Sequence, residues 1–325
     1  MHKIYIAESH DPRINLAAEE IMTREAKMGE VTFFLWQNQN TVVIGRNQNP
    51  YKECDLGAIE RDDVTLIRRL SGGGAVFHDL GNLNFSFCAH DKDYSLEKNL
   101  KVIIGAIQKF GLPAEFSGRN DILLDGKKFS GNAFSRIRAN NCHHGTIMVD
   151  VDMTKLSNYL NVPPLKMQAK GIQSVRSRVT NLIDYAPDMT IEQLIDKLIE
   201  AFQEVFGPSH EPIVIDEAFL QGHESADKYQ TWQWNVGTSP AYEVHFEKKF
   251  DWGLTDWHID INQGKIARVK FFSDALVETD FRQLETDLIG TEYRKPAIRS
   301  VFSQVEPIQV RDDLLAWLDE LEIGG

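Results

Sequence analysis

Cysteine is scarce in this sequence. Cys54, Cys88 and Cys142 are the only three in 325 residues. They are far apart and form no CxxC pair, so neither a disulfide framework nor a zinc knuckle is expected. Buried, reduced thiols are. Basic charge is also short: 35 Lys and Arg stand against 48 Asp and Glu, a net charge of −13. That balance counts against a general nucleic-acid binder, although it leaves room for a local basic patch. No run approaches the roughly 20 apolar residues of a membrane span. The opening stretch, MHKIYIAESHDPRINL, carries acids and a proline where a secretory signal carries an apolar core. A cytoplasmic location without membrane or nucleic-acid partners is the expectation. The phosphate-loop order GxxxxGK[ST], the dinucleotide order GxGxxG and the nucleophile elbow GxSxG are all missing.

What remains is the composition of an ordinary globular protein. Apolar residues make up 42% and charged residues 26%, with 22 Gly and 11 Pro. At about 150 residues per domain, the length suggests two domains. Asp11-Pro12 reads as a helix start, with Ile14, Ala17, Ala18, Ile21 and Met22 at helical spacing. Val31–Trp36 and Thr41–Gly45 read as two strands of a hairpin around Gln37–Asn40. Further strands are expected at Val64–Arg69, Leu83–Cys88, Asp121–Leu124 and Gly145–Val151. Helices are expected over Ser95–Phe110, near Met153–Leu160, and from the capping box at Thr190–Gln193 to Phe206. Residues 208–240, with Pro208, Pro212, Pro240 and the cluster Thr231–Gly237, read as a connector that packs on the first domain. After about residue 242 the pattern restarts with three strands and two amphipathic helices, Phe281–Ile289 and Asp312–Leu321, which make a small α+β domain.

Four segments carry polar chemistry. Arg68–His78 holds Ser71-Gly72-Gly73-Gly74 between a strand and another strand-like run. Its glycines can bring backbone close to a ligand and its arginines can bind phosphate or carboxylate. A glycine-rich hairpin turn fits the same residues equally well. Ser117–Asp121 followed by Lys127–Ala133 places Arg119, Asn120 and Asp121 near two lysines, Lys127 and Lys128, just after a turn at Asp125-Gly126. The turn needs no function, since Asp-Gly is a hairpin signal by itself. His143 and His144 are adjacent in a strand, so they point to opposite faces and make a poor joint metal site. No carboxylate or histidine lies at ligand spacing, and a single buried, hydrogen-bonded histidine is expected. Lys170–Leu182, with Lys166 before it, is a basic island in an acidic chain that can close over an anion or simply be surface loop. No nucleophile–base pair stands out, which favours chemistry by positioning and charge neutralisation.

The runs LWQNQNTVVIGRNQNPYKEC (Leu35–Cys54), RRLSGGGAVFHDLGN (Arg68–Asn82), SGRNDI (Ser117–Ile122), KFSGNA (Lys128–Ala133), HHGT (His143–Thr146) and KGIQSVRSRVTNL (Lys170–Leu182) resemble, in order, those of lipoate–protein ligases. The resembling type has a large catalytic domain followed by a small accessory one, here residues 1–245 and 246–325. The resemblance implies an α+β fold: a mixed, largely antiparallel sheet flanked by helices, of the biotin/lipoate ligase kind, with a small C-terminal α+β domain. It implies that lipoate and ATP, with Mg²⁺, give lipoyl-AMP. The lipoyl group then passes to a lysine of lipoyl domains of 2-oxoacid dehydrogenase complexes or of the glycine cleavage H protein.

By the same resemblance Lys128 is the catalytic lysine. Arg69, Gly74, Ala75, Val76, Phe77, Asn120, Asp121, Lys128, Arg176 and Arg178 contact ATP or the adenylate, and Asp121 reaches the metal. Trp36, Arg69, Ser71, Gly73, Lys128 and His144 contact lipoate. Ser135 departs from the pattern, because a basic residue is expected after Phe134 and arrives one place later as Arg136. The alternatives within reach of these residues are a biotin protein ligase, whose glycine–arginine loop reads differently from RRLSGGG, an ATP-independent octanoyl or lipoyl transferase, which would need a cysteine thioester, and a non-catalytic lipoate or nucleotide binder.

Overall fold

The computed structural model describes residues 1–117, 121–160, 179–236, 244–262, 264–277, 279–321 and 323. Internal contacts divide the chain into two units. One comprises Met1–Ile44, Pro50–Leu70 and Ala75–Gly237, and the other Gly45–Asn49, Ser71–Gly74 and Thr238–Gly325.

The first unit is built on an eight-stranded sheet. Its strands are β1 (Lys3–Ala7), β2 (Val31–Trp36), β6 (Asn82–His90), β7 (Glu115–Phe116), β8 (Asp121–Leu124), β9 (Lys127–Ile137), β10 (Asn140–Met148) and β11 (Ile213–Ile215). The order is β11-β1-β2-β6-β10-β9-β8-β7. The pairs of β1 with β11 and β2 are parallel and the rest are antiparallel. A second sheet, β4-β3-β5, is formed by β3 (Thr41–Ile44), β4 (Thr65–Arg68) and β5 (Val76–His78). This is the mixed, largely antiparallel architecture expected.

Helices cover both faces of the large sheet. On one side lie α4 (Leu96–Gln108) and α6 (Ile191–Phe206), packed on Phe33, Phe85, Phe87, Phe129 and Ile147. On the other lies α1 (Pro12–Glu25), whose Leu16, Ala17, Ala18 and Met22 meet Phe34, Trp36, Cys88 and Cys142. The periodicity of VTFFLW therefore has a cause: Phe33 and Leu35 face α4 and α6, while Phe34 and Trp36 face α1. A strand buried on both faces reads as continuous apolar sequence. Each fully buried phenylalanine contributes about 1.5–3 kcal/mol. The helix ends follow their capping chemistry. Asp11 caps α1 ahead of Pro12, Ser95 caps α4, and the Thr190/Gln193 box opens α6, which stops at Gly207 with φ +92°.

One expectation fails here. β2 and β3 do not form a hairpin, for they belong to different sheets. The connection Gln37–Asn40 is tied down instead. Asn15 Nδ2 donates to the Gln37 carbonyl at 2.8 Å and to Asn38 Oδ1 at 3.1 Å, and the Gln39 amide donates to the His10 carbonyl. Two runs that are each buried on both faces need neighbours other than each other.

The second unit holds the antiparallel sheet β12 (Val244–Phe250), β13 (Gly253–Asn262) and β14 (Lys265–Ser273). One face packs on three helices: α8 (Phe281–Leu288), α9 (Lys295–Phe302) and α10 (Ile308–Glu320). Trp257, Phe271, Phe302 and Trp317 form its centre. The sequence reading missed α9, which spans only two turns. The smaller helices of the first unit are α2 (Pro50–Glu53), α3 (Leu56–Arg61), α5 (Met153–Tyr159) and α7 (Trp232–Asn235).

Candidate active site

The α1 face of the large sheet buries a chain of polar groups. Trp36 Nε1 donates to Ser86 Oγ at 3.0 Å, and Ser86 Oγ donates to Glu19 Oε1 at 2.5 Å. His144 Nδ1 lies 2.8 Å from the same carboxylate oxygen. Glu19 is 2% exposed. Burial pushes its carboxyl up, but His144 and the bonds from Ser86 and Cys142 outweigh that and hold it below the usual range. Arg69, also buried, is pushed down to about 10 by desolvation, against the raising pull of Glu19. It stays cationic at neutral pH. His78, beside Asn38, is pushed down to about 3 by burial and by the Arg69 and His144 charges. A carboxylate, a guanidinium and imidazoles thus share one apolar, aromatic-walled region.

Adjacent histidines do face opposite ways. His143 points to the α4 side, bonded to Asn99 at 3.2 Å and Asn132 at 2.8 Å, stacked on Phe87 and Phe134. The reading of a single buried histidine is corrected: both are buried. The absence of a nearby carboxylate is corrected as well. Glu19 reaches His144 from a helix 125 residues earlier, and Cys142 lies within ligand distance of both. Glu19 and Ser86 are the members of this cluster that sequence reasoning missed. A glutamate in an alanine-rich helix carries no local sign of burial.

On the same face, Lys128 Nζ lies 2.8 Å from Asp121 Oδ1, each side chain 33% exposed. A two-residue hairpin sets this up. Asp125 and Gly126 take φ +51° and +71°, the pattern that joins right-twisted strands, here β8 and β9. Lys127 next to it is exposed. Thr146, two residues beyond His144 on β10, accepts from the Gly131 amide at 3.2 Å. It ties the lysine's strand to the strand of the buried histidine.

The glycine segment is not a hairpin turn, because β4 and β5 both flank β3 instead of pairing with each other. The Arg69 amide donates to the Ile44 carbonyl, and its Nη1 to the Val43 carbonyl at 3.2 Å. Arg68 is held by the tryptophan connector. It donates to the Trp234 carbonyl and to Asn235 Oδ1, and Trp234 Nε1 donates back to the Arg68 carbonyl at 2.9 Å. The connector packs on the first unit as expected. In that unit Val76 and Phe77 lie on β5, an edge strand whose second edge pairs with no strand among the described residues. Ala75 precedes them.

Ser71, Gly72, Gly73 and Gly74 belong to the second unit, where the Ser71 carbonyl accepts from the Arg46 amide and the Gly73 amide donates to the Ala275 carbonyl. The glycines differ in what demands them. A Cβ on Gly72 would lie 2.0 Å from the Ala275 carbonyl oxygen, and Gly73 has φ +88°. Gly74 has neither constraint, and a Cβ there would meet nothing within 4 Å. Asn120, Arg176 and Arg178 lie outside the described residues. Arg136 pairs with Asp91, away from this cluster.

All three cysteines are free and buried. Burial, with Glu53 nearby, pushes the Cys54 thiol up to about 12. The Cys88 contact and burial push Cys142 well above its ordinary range. Neither is a ready thiolate. Among the described residues, no helix is long and apolar enough to cross a membrane.

Comparison with known proteins bears on these groups. A profile described as "Lipoyl protein ligase A/B catalytic domain" matches residues 11–203, and one described as "Bacterial lipoate protein ligase C-terminus" matches residues 239–318. The chain is 42% identical to the lipoate-protein ligase A of Psychrobacter cryohalolentis over 320 residues, 96% of this chain and 94% of that one. The fold superposes on P. falciparum LipL1 in complex with lipoate, with a TM-score of 0.88 and 27% identity, covering 99% of this chain and 100% of the other. A lipoate-protein ligase A bound with ATP gives 0.63 and 27%, covering 73% and 98%. A bipartite lipoate protein ligase from Thermoplasma acidophilum, described with its E2 lipoyl domain, gives 0.65 and 28%, covering 75% and 100%.

Proposed function

The chain belongs to the lipoate–protein ligase family, and from that premise we infer that it uses ATP to join lipoate to protein. One observation carries the reading: the likeness to a lipoate-protein ligase A runs end to end, at 42% identity over 96% of the chain.

The reaction has two halves. The lipoate carboxylate attacks the α-phosphorus of ATP, giving lipoyl-AMP and pyrophosphate. An acceptor lysine amine then attacks the acyl carbon, giving the amide and AMP. In the first half two anions must meet. At 4 Å two unit charges repel by roughly 4 kcal/mol at an effective dielectric near 20. The Lys128 ammonium, held by Asp121 and one-third exposed, is the group that would lower this repulsion. It would also polarise the mixed anhydride for the second half. We assign Arg69, Gly74, Ala75, Val76 and Phe77 to the nucleotide. The edge position of β5, which pairs on one side only among the described residues, supports that. We assign Trp36, Ser71, Gly73 and His144 to lipoate, alongside Arg69 and Lys128. The buried aromatic and polar wall around Glu19 supports Trp36 and His144. Asn120, Arg176 and Arg178 are assigned to the adenylate by resemblance.

Mg²⁺ keeps most of its waters and takes one or two carboxylates plus phosphate oxygens. The part-exposed carboxylate of Asp121 fits that donor set and would hold such an ion, which would neutralise the departing pyrophosphate. The acceptors we propose are lipoyl domains of 2-oxoacid dehydrogenase complexes and the glycine cleavage H protein. Free buried thiols suit a reducing compartment, which supports the cytoplasm. The ATP-independent transferase needs an accessible thiolate, and the burial of all three cysteines argues against it.

The test is exchange of labelled pyrophosphate into ATP. Exchange that requires lipoate is the expected result. Exchange without lipoate, or none with it, removes the adenylating reading.

A further inference from the structure

In a regular strand, residues three apart point to opposite faces. Lys128 and Gly131 are three apart on β9, yet they share a face. The register shows why. Asp121 pairs with Gly131 and Ile122 with Ser130, but Leu123 pairs with Lys128, so Phe129 is an extra residue on β9. This β-bulge shifts the phase of the strand. Phe129 and Ser130 both become fully buried, and Lys128 and Gly131 both come to the face that carries Asp121 and Thr146.

The second observation is at Gly131. A Cβ built there would stand 2.9 Å from Lys128 Cε and 2.9 Å from Nζ, and its next neighbour, Thr146 Oγ1, is at 3.8 Å. The lysine side chain therefore lies back across its own strand, over the bare α-carbon of Gly131, and reaches the Asp121 carboxylate at 2.8 Å. The lysine backbone is fixed as well. Its carbonyl accepts from the Thr180 amide at 2.9 Å, and Lys128 pairs with Val179 in an isolated parallel bridge.

We propose that Gly131 is a positioning residue for the ligase reaction. Its missing side chain is the space in which the Lys128 ammonium rests, and the bulge at Phe129 brings that space under the lysine. The proposal rests on the role given to Lys128 above. Backbone freedom is not the reason for the glycine, for Gly131 is not among the residues with positive φ. A methyl group at 131 pushes only on the flexible end of one side chain. It leaves the sheet intact and moves the ammonium off its place. A displacement of about 1 Å at a reacting centre can cost about 100-fold in rate.

The experiment is a double-mutant cycle on the full-length protein. Wild type, Gly131→Ala, Lys128→Ala and the double variant are compared by thermal unfolding and by calorimetric affinity for a non-hydrolysable lipoyl-adenylate analogue. Pyrophosphate exchange is measured for wild type and the single variants. Gly131→Ala is expected to unfold within a few degrees of wild type. Its exchange kcat should fall by about 10- to 100-fold, with the lipoate KM within twofold. Its analogue affinity should weaken in the wild-type background and stay unchanged when Lys128 is already alanine. Equal weakening in both backgrounds overturns the proposal, because the glycine would then act apart from the lysine. Unchanged kcat overturns it too, as does an unfolded Gly131→Ala protein. If Lys128→Ala itself keeps wild-type exchange and affinity, the lysine's own assignment fails. If Lys128→Ala is inactive while Gly131→Ala is not, the positioning role alone fails.

Discussion

His144 Nδ1 lies 2.8 Å from Glu19 Oε1, across 125 residues of sequence and with both side chains buried. Removing one partner of such a pair leaves an uncompensated polar group in the interior, with the Arg69 cation nearby. Glu19→Ala should therefore cost about 3–5 kcal/mol of stability, measured by urea unfolding at pH 7.5. Because the folded Glu19 carboxyl sits below its ordinary value near 4.5, its contribution is present above that pH and is lost as pH falls through the folded value. A change within experimental error at pH 7.5 would mean that the contact is idle.

Two histidines set a second pH dependence. His78 and His143 are both pushed down to about 3, from 6.5, chiefly by burial. Unfolding lets each take up a proton below pH 6.5. Their contribution is therefore complete above 6.5 and is lost as pH falls towards 3. Each histidine should remove roughly 1.4 kcal/mol per pH unit well inside that window. Stability measured at pH 7.5, 6.0 and 5.0 should fall accordingly, and His143→Asn should halve the slope. A flat profile over that range would show that neither imidazole is held neutral.

These two clusters show what the sequence discloses. Asp125-Gly126, the capping box at Thr190 and the opposite orientation of His143 and His144 were legible, because each depends on chemistry within a few residues. Glu19 was not, since a helix hides which of its charges will be covered until its packing partners are known. The bulge at Phe129 was not legible either, as one added residue leaves no compositional trace. The hairpin misread between β2 and β3 has a related cause. Strands buried on both faces lose the alternation that marks a partner. The lysine in KFSGNA was found by resemblance, and the cradle beneath it was not found at all.

The three glycines after Ser71 should respond differently to valine. Gly72→Val drives a side chain into the Ala275 carbonyl, and Gly73→Val strains a positive φ, so both should destabilise. Gly74→Val meets open space. It should unfold near the wild-type temperature but bind ATP at least about tenfold more weakly, a loss of roughly 1.4 kcal/mol. Scanning fluorimetry and calorimetry separate the cases. Full ATP affinity in a folded Gly74→Val protein would take that residue out of the nucleotide site.

Cys54→Ser, Cys88→Ala and Cys142→Ala should each keep lipoyl transfer. The cost should be confined to packing and the loss of a buried contact, about 1–3 kcal/mol by chemical unfolding. A trapped thioester in wild type, lost with one of these thiols in a folded variant, would move the protein to the transferase class.

The most direct test of adenylate-based ligation is the mass of an isolated lipoyl domain after incubation with the enzyme, lipoate and Mg²⁺, with and without ATP. The prediction is one added lipoyl group on one lysine only when ATP is present. Lys128→Ala should slow it by about 100- to 1,000-fold, while Lys127→Ala runs near the wild-type rate. The same mass gain without ATP, or undiminished by Lys128→Ala, would contradict it.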